Sequence, residues 1–201
     1  VLLTSIPGDV NKLKSLGAKN VFYLPFGVDE TVFKPLNQKR DIELGFIGWK
    51  IHAPRREFFH RLSREYGLQR VIAMSEGSSR KEATAEYVKA LNRIRICINI
   101  PNTFGGLSTR VFENLACETF LLQPRPPRGY EPDMEQLQEG EEIIYYDPSG
   151  DDIGDLINYY IQSPDVRQKI AENGRKAVLS RHTIAHRVQK IFDIMYKLRL
   201  I

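Results

Sequence analysis

Along the chain, short runs of apolar residues alternate with longer stretches in which apolar positions recur every three or four residues. Arg95–Ile100 (Arg-Ile-Cys-Ile-Asn-Ile) reads as a buried strand. Beyond Gly105 and Gly106, Leu107, Val111 and Leu115 recur four apart, which predicts a helix with one inward face. The same pattern extends to both sides of this unit. Val1–Ser5, Asn20–Leu24, Glu43–Ile47, Arg70–Met74, Thr119–Gln123 and Ile143–Tyr146 read as strands. Asp9–Leu16, Pro54–Tyr66, Lys81–Arg93 and Asp165–Leu179 read as helices, as do the stretches spaced by Ile153, Ile157 and Ile161 and by Ile184, Val188 and Phe192. Asp151 or Asp152 is a natural cap for the helix that stops before Pro164. Pro124–Pro132 holds four prolines and Gly129 and is expected to be a loop, with a short helix over Met134–Gln138. Strands alternating with amphipathic helices predict an α/β class: a Rossmann-like parallel sheet with helices on both faces.

The unit from Arg95 to Ala116 therefore reads strand, glycine turn, helix. The first N–H groups of a helix lack backbone partners and carry partial positive charge, and glycines let an anion come close, so a phosphate fits there. Arg110 and Glu113 lie three apart near that end of the helix, on one face. The guanidinium can take phosphate oxygens and the carboxylate can accept from a pair of sugar hydroxyls. The same spacing also describes an exposed ion pair on an ordinary helix, and both readings stand at this point.

The composition narrows the class. The chain has 201 residues, 42% of them hydrophobic, which is enough for a substantial core. Its formal net charge of +4 comes from 29 basic and 25 acidic side chains, a mild excess that favours anionic partners without arguing for nucleic acid, since no basic run is interleaved with aromatics. Cys97 and Cys117 read as small buried thiols with no zinc-type spacing, which suits a reducing compartment. No signal peptide is evident and no apolar run approaches the roughly 18 residues of a membrane span, so a cytoplasmic location is expected. Lys190, Lys197 and Arg199 on the last helix allow contact with a membrane surface without arguing for it.

Several stretches together resemble the GT-B glycosyltransferases of the group 1 type, closest to the CgeB-like branch. Phe104–Ala116 is similar to their donor-binding helix, and Glu113 sits where a glutamate binds the ribose of a nucleotide-sugar. Tyr23–Pro35 (Tyr-Leu-Pro-Phe-Gly-Val-Asp, then Phe33 and Pro35) resembles the crossover between the two GT-B domains. Leu44–Gly48 resembles the strand and turn that open the donor domain, and Ile170–Arg187 resembles the closing helices. The chain departs from the wider family at Gly105, where many retaining members carry a second glutamate, and at Trp49 and Pro54, where an arginine and a lysine often grip the diphosphate. Arg55, Arg56 and Arg110 are the candidate replacements.

The resemblance implies the C-terminal half of a GT-B architecture. Residues 1–36 would be the last βαβ piece of an N-terminal acceptor domain together with the crossover, 41–181 the donor-binding domain, and 182–201 a C-terminal helix. It implies a partner in the form of a nucleotide-sugar, held by Gly48, Arg55, Gly105, Gly106, Leu107, Ser108, Thr109, Arg110 and Glu113, with Met74, Ser75 and Glu76 near the base. No metal and no cofactor beyond the donor substrate are expected. His52 is a candidate for proton transfer, against the reading of a solvated loop histidine, and Trp49 for stacking on a base, against packing. Arg125 and Arg128 fall where this fold passes near the donor sugar, or are surface charges. Because the chain starts at Val1 and the crossover motif lies so close to it, most of the acceptor domain is expected to be missing, leaving donor binding with little transfer. Acceptor, base, sugar and stereochemistry stay open. The alternatives are a non-catalytic nucleotide-binding or protein-interaction module derived from a transferase, and a GT-B-like nucleotide-sugar epimerase.

Overall fold

The computed structural model describes residues 1–48, 53–71, 79–100 and 106–201. A first βαβ unit consists of β1 (Leu2–Thr4), α1 (Pro7–Ser15) and β2 (Val21–Tyr23), with β1 and β2 paired in parallel. An extended segment then leads to β3 (Ile42–Ile47), followed by α2 (Ala53–Tyr66), β4 (Gln69–Val71), α3 (Arg80–Arg93) and β5 (Ile94–Ile98). After these come α4 (Thr109–Ala116), β6 (Phe120–Pro124), α5 (Glu131–Met134), β7 (Ile144–Tyr146), α6 (Ile153–Gln162), α7 (Pro164–Arg181) and α8 (Ile184–Lys197).

The five strands β3 to β7 form one sheet, all parallel, in the order β4-β3-β5-β6-β7. Alternate residues of each strand point to opposite faces. Cys97 and Tyr145 thus join α3, α4 and α7 through Leu91, Val111, Leu115 and Val178 on one side. Phe46, Ile96, Ile98 and Tyr146 join α2 and α6 through Leu62, Ile153 and Ile157 on the other. This is the doubly wound architecture that the alternation predicts. The strand order reverses between β3 and β5, and in open sheets of this kind the crevice for a ligand opens beyond the carboxyl ends of the strands at that reversal.

Two local expectations are corrected. Pro124 does not lie in a loop but ends β6, in register with Tyr146. It is tolerated there because the next ladder bond comes from Arg125 N–H to the Tyr146 carbonyl at 2.8 Å, so no N–H is required of the proline. The short helix lies over Glu131–Met134 rather than Met134–Gln138, with Pro132 in its first turn, where a missing N–H costs nothing. Asp152 does occupy the cap position of α6, yet its Oδ1 accepts from Asp147 N–H at 2.9 Å instead of from the helix.

The segment that follows the first unit is tied to α7 and α8 by specific bonds. Val28 N–H donates to the His182 carbonyl and Ile184 N–H to the Val28 carbonyl, each at 3.0 Å. Arg187 Nε donates to the Phe26 carbonyl at 2.9 Å and its Nη2 to His182 Nδ1 at 2.7 Å, while His182 Nε2–H reaches the Gln136 carbonyl at 2.8 Å. Those partners leave His182 neutral, and burial pushes its pKa down to about 4. Both cysteines are buried free thiols whose pKa is pushed up to about 12 by that burial. Among the described residues no helix is long and apolar enough to cross a membrane.

Candidate functional site

Phe46, the penultimate residue of β3, is fully buried. Its ring folds over the strand end so closely that a Cβ at Gly48 would collide with it. Glycine at 48 therefore makes room for the ring. Two cations meet this ring: the guanidinium carbons of Arg55, from the first turns of α2, and of Arg110, from the first turn of α4, each lie 5.8 Å from its centroid. The helices that follow β3 and β5 thus bring their arginines to one place, at the reversal in strand order.

Arg55 Nη2 donates to the Ile100 carbonyl at 3.3 Å, and its Nε is buried without a partner among the described residues. Burial, then the charge of Arg110, lowers its pKa, and no carboxylate is among the groups acting on it. Arg56 is exposed. Arg110 and Glu113 do not form the ion pair that their spacing allowed: among the described residues Arg110 has no carboxylate within salt-bridge distance. Glu113 Oε2 instead accepts from the Tyr87 hydroxyl at 2.8 Å. Burial raises the pKa of Glu113, and the Tyr87 hydrogen bond and the Arg110 charge oppose that shift.

The glycine turn holds a feature that the sequence did not announce. Asp133, buried on α5, accepts from Leu107 N–H through Oδ2 at 2.9 Å and from the Tyr23 hydroxyl through Oδ1. A Cβ at Gly106 would collide with Asp133 Oδ2, so glycine at 106 admits an internal carboxylate. The expectation that Leu107 N–H faces a phosphate is corrected accordingly: that donor is already taken. Ser108 caps α4 with no side-chain hydrogen bond. Among the described residues, nothing accepts from the backbone N–H groups of Ser108, Thr109 and Arg110, which are the donors left at this helix end.

Arg125 is held by Glu139, with Nη1 at 2.8 Å from Oε2, and Arg128 is exposed, so both stand as surface charges. Trp49, Lys50, His52, Met74, Ser75, Glu76, Phe104 and Gly105 lie outside the described residues. Sequence reasoning passed over Phe46, Tyr87 and Asp133. A hint existed for Tyr87, a polar-tipped residue beside Ala83, Val88 and Ala90 on the buried face of α3, since such a hydroxyl needs a partner. None existed for Asp133, whose partners lie far away in sequence.

The family model described as "Glycosyl transferase-like" matches residues 55–193. The chain belongs to that family. The matched stretch of this glycosyl transferase-like domain runs from Arg55 through α4 and α7 into α8. Among solved structures it resembles Anabaena Alr3699/HepE in complex with UDP, with a TM-score of 0.74 at 10% identity over 98% of this chain and 64% of that one. A sucrose-phosphate synthase from Thermosynechococcus elongatus gives 0.68 at 13% identity over 98% of this chain and 58% of that one. The C-terminal domain of the group 1 family glycosyl transferase LpcC from Francisella tularensis gives 0.58 at 18%, over 79% of this chain and all of that domain (100%). At these identities the likeness shows the fold alone, the Rossmann-like fold of GT-B glycosyltransferases. The domain spans less than two thirds of the HepE and sucrose-phosphate synthase chains. No match was found among curated protein sequences.

Proposed function

We propose that this domain binds a nucleotide-sugar in the crevice beyond β3 and β5 and serves as the donor-binding part of a glycosyltransferase. The observation that carries the reading is the convergence of Arg55 and Arg110 on Phe46, two guanidiniums with no carboxylate partner among the described residues. A diphosphate supplies the missing negative charge. Its oxygens would be met by these arginines and by the N–H groups of Ser108, Thr109 and Arg110, with Gly48 and Gly106 making room for the Phe46 ring and the Asp133 carboxylate beside them. Glu113 would accept from the ribose hydroxyls, and Gly105, Met74 and Ser75 remain expected contacts. Structures of HepE have been solved with UDP and with UDP-glucose, which makes a nucleoside diphosphate the natural first probe.

In transfer, the bond between the anomeric carbon and the diphosphate oxygen breaks as an acceptor oxygen or nitrogen bonds to that carbon, its proton passing to a base or to the leaving diphosphate. The electron pair leaves with the nucleoside diphosphate. Two fixed cations and a helix end placed against the leaving phosphate stabilise that charge without a metal. The placement of residues 41–181 as the donor half, and of 1–36 as part of an acceptor half, belongs to this same proposal.

Calorimetric titration with UDP, GDP, ADP and their common sugar conjugates tests it, alongside an Arg110→Ala, Glu113→Ala double variant. Saturable binding of one nucleotide, lost in the double variant, is expected. Binding that survives the double substitution, or none at millimolar concentration, refutes the site. Product analysis with a bound sugar nucleotide and no acceptor separates transfer from epimerisation, which alters the nucleotide-sugar by itself.

A further inference from the structure

We infer that Tyr87 is the positioning residue for Glu113, holding its carboxylate so that one oxygen is presented to the ribose hydroxyls of the nucleotide. This rests on the donor-binding reading above and adds a residue to it. The Tyr87 hydroxyl donates to Glu113 Oε2 at 2.8 Å, and among the described residues Oε1 has no partner. The tyrosine ring is itself fixed: Phe33 meets it edge-on, with centroids 5.9 Å apart and planes at 77°. Phe33 in turn sits in a closed turn, its N–H bonded to the Asp29 carbonyl at 2.9 Å.

Glutamate has several rotatable bonds, so an unanchored carboxylate samples many orientations and must be ordered when a ligand arrives. A hydroxyl on one oxygen removes that cost and leaves the other oxygen free to accept. Burial and the charge of Glu113 push the Tyr87 pKa up, so the group stays an O–H donor at working pH. The anchor matters only to a ligand that bonds the carboxylate. It therefore governs the preference for a ribose diol and leaves the diphosphate contacts alone.

The test compares a nucleoside diphosphate with its 2′,3′-dideoxy analogue, using whichever of UDP, GDP and ADP binds the wild type. A site built to bond sugar hydroxyls rejects the analogue, by about tenfold or more when the acceptor is charged. Glu113→Gln should bring that ratio close to one. Tyr87→Phe deletes one oxygen and keeps the ring against Phe33. It should lower the ratio at least about threefold while the affinity for the dideoxy analogue stays within about twofold of wild type. Equal weakening of both ligands by Tyr87→Phe overturns the inference, because general packing would do that. An unchanged ratio in Tyr87→Phe with a collapsed ratio in Glu113→Gln overturns it while leaving the donor site intact. An unchanged ratio in Glu113→Gln, or no preference in the wild type, overturns the assignment of Glu113 to ribose and the inference with it.

Discussion

Replacing Asp133 tests the architecture of the glycine turn. Its carboxylate satisfies two groups, the Leu107 N–H and the Tyr23 hydroxyl, which have no other partner among the described residues. Asp133→Ala leaves the Leu107 N–H buried and the Tyr23 hydroxyl half-buried without that partner; an unsatisfied buried donor costs about 1–3 kcal/mol and a half-buried one less, so the loss is about 2–4 kcal/mol. The wild-type carboxylate is itself costly, since burial raises its pKa and the two hydrogen bonds only oppose that rise. Asp133→Asn keeps the shape and an acceptor for Leu107 N–H, and its amide can donate to the Tyr23 oxygen. It should therefore cost far less than the alanine. The sign of the pH dependence follows from the raised value. Between the ordinary aspartate pKa near 4 and the higher folded value, the native state holds a proton that the unfolded state has lost. Stability then falls as pH rises through that window, by at most about 1.4 kcal/mol per pH unit for one group. Urea denaturation of wild type and Asp133→Asn from pH 4 to 8 isolates this term, because the other carboxylates cancel in the difference. The wild type should lose ground to the variant as pH rises. A difference that is flat with pH, or an alanine variant as stable as the asparagine one, refutes the account of Asp133 as a desolvated, doubly bonded carboxylate.

Arg40 makes a second test. Its guanidinium donates to the carbonyls of Leu91, Ile94, Cys117 and Glu118 at 3.2, 2.8, 3.0 and 2.8 Å, joining the ends of α3 and α4, where helix dipoles are negative. Arg40→Ala should cost about 3–5 kcal/mol, read as a fall in Tm of roughly 6–20 °C in calorimetry, with Arg40→Lys falling between; a drop of under about 2 °C would show that water replaces the guanidinium. His182 gives a third, with the opposite sign to Asp133. Its pKa is depressed from the ordinary 6.5 to about 4, so the unfolded state binds a proton first and stability is lost as pH falls from 6.5 towards 4. His182→Gln should remove roughly 3 kcal/mol of that acid sensitivity in pH-dependent denaturation, and an unchanged acid limb would contradict the neutral, buried imidazole.

What the chain disclosed in advance was what repeats locally. Apolar runs located the strands of the main sheet and helical periodicity the helices around them, because a strand buried on both faces reads as a continuous apolar stretch while a helix buries one face. The glycine turn before α4 was legible too, since a helix end and its glycines are neighbours in sequence. The errors fell at Pro124 and at α5. There proline rules read residue by residue forbid a strand or helix, while the actual positions are a strand terminus and a first helical turn that need no N–H. Asp133 and Tyr87 were invisible for another reason: each acts on a partner 26 residues away across a sheet crossover, and no local pattern encodes such a meeting.

Those two long-range interactions bear on α4 from different sides. Tyr23, on β2, reaches the turn before the helix through Asp133; Phe33, in the segment after β2, reaches Glu113 through Tyr87. Both routes begin in residues 1–36; one ends at Leu107 in the turn before α4 and the other at Glu113 on α4, the helix whose first turn holds Arg110. A third interaction, Leu36 N–H to Asn92 Oδ1 at 2.7 Å, fixes the same segment to α3. The orientation of the carboxylate, the shape of the glycine turn and the seat of the first unit are therefore one mechanical problem. Removing the Tyr23 hydroxyl or the Phe33 ring is felt at α4 even though neither residue lies on it. Substitutions at Tyr23, Phe33, Tyr87 and Asp133 should for that reason couple when combined, while each should be additive with a change at a remote site such as Arg61 on α2.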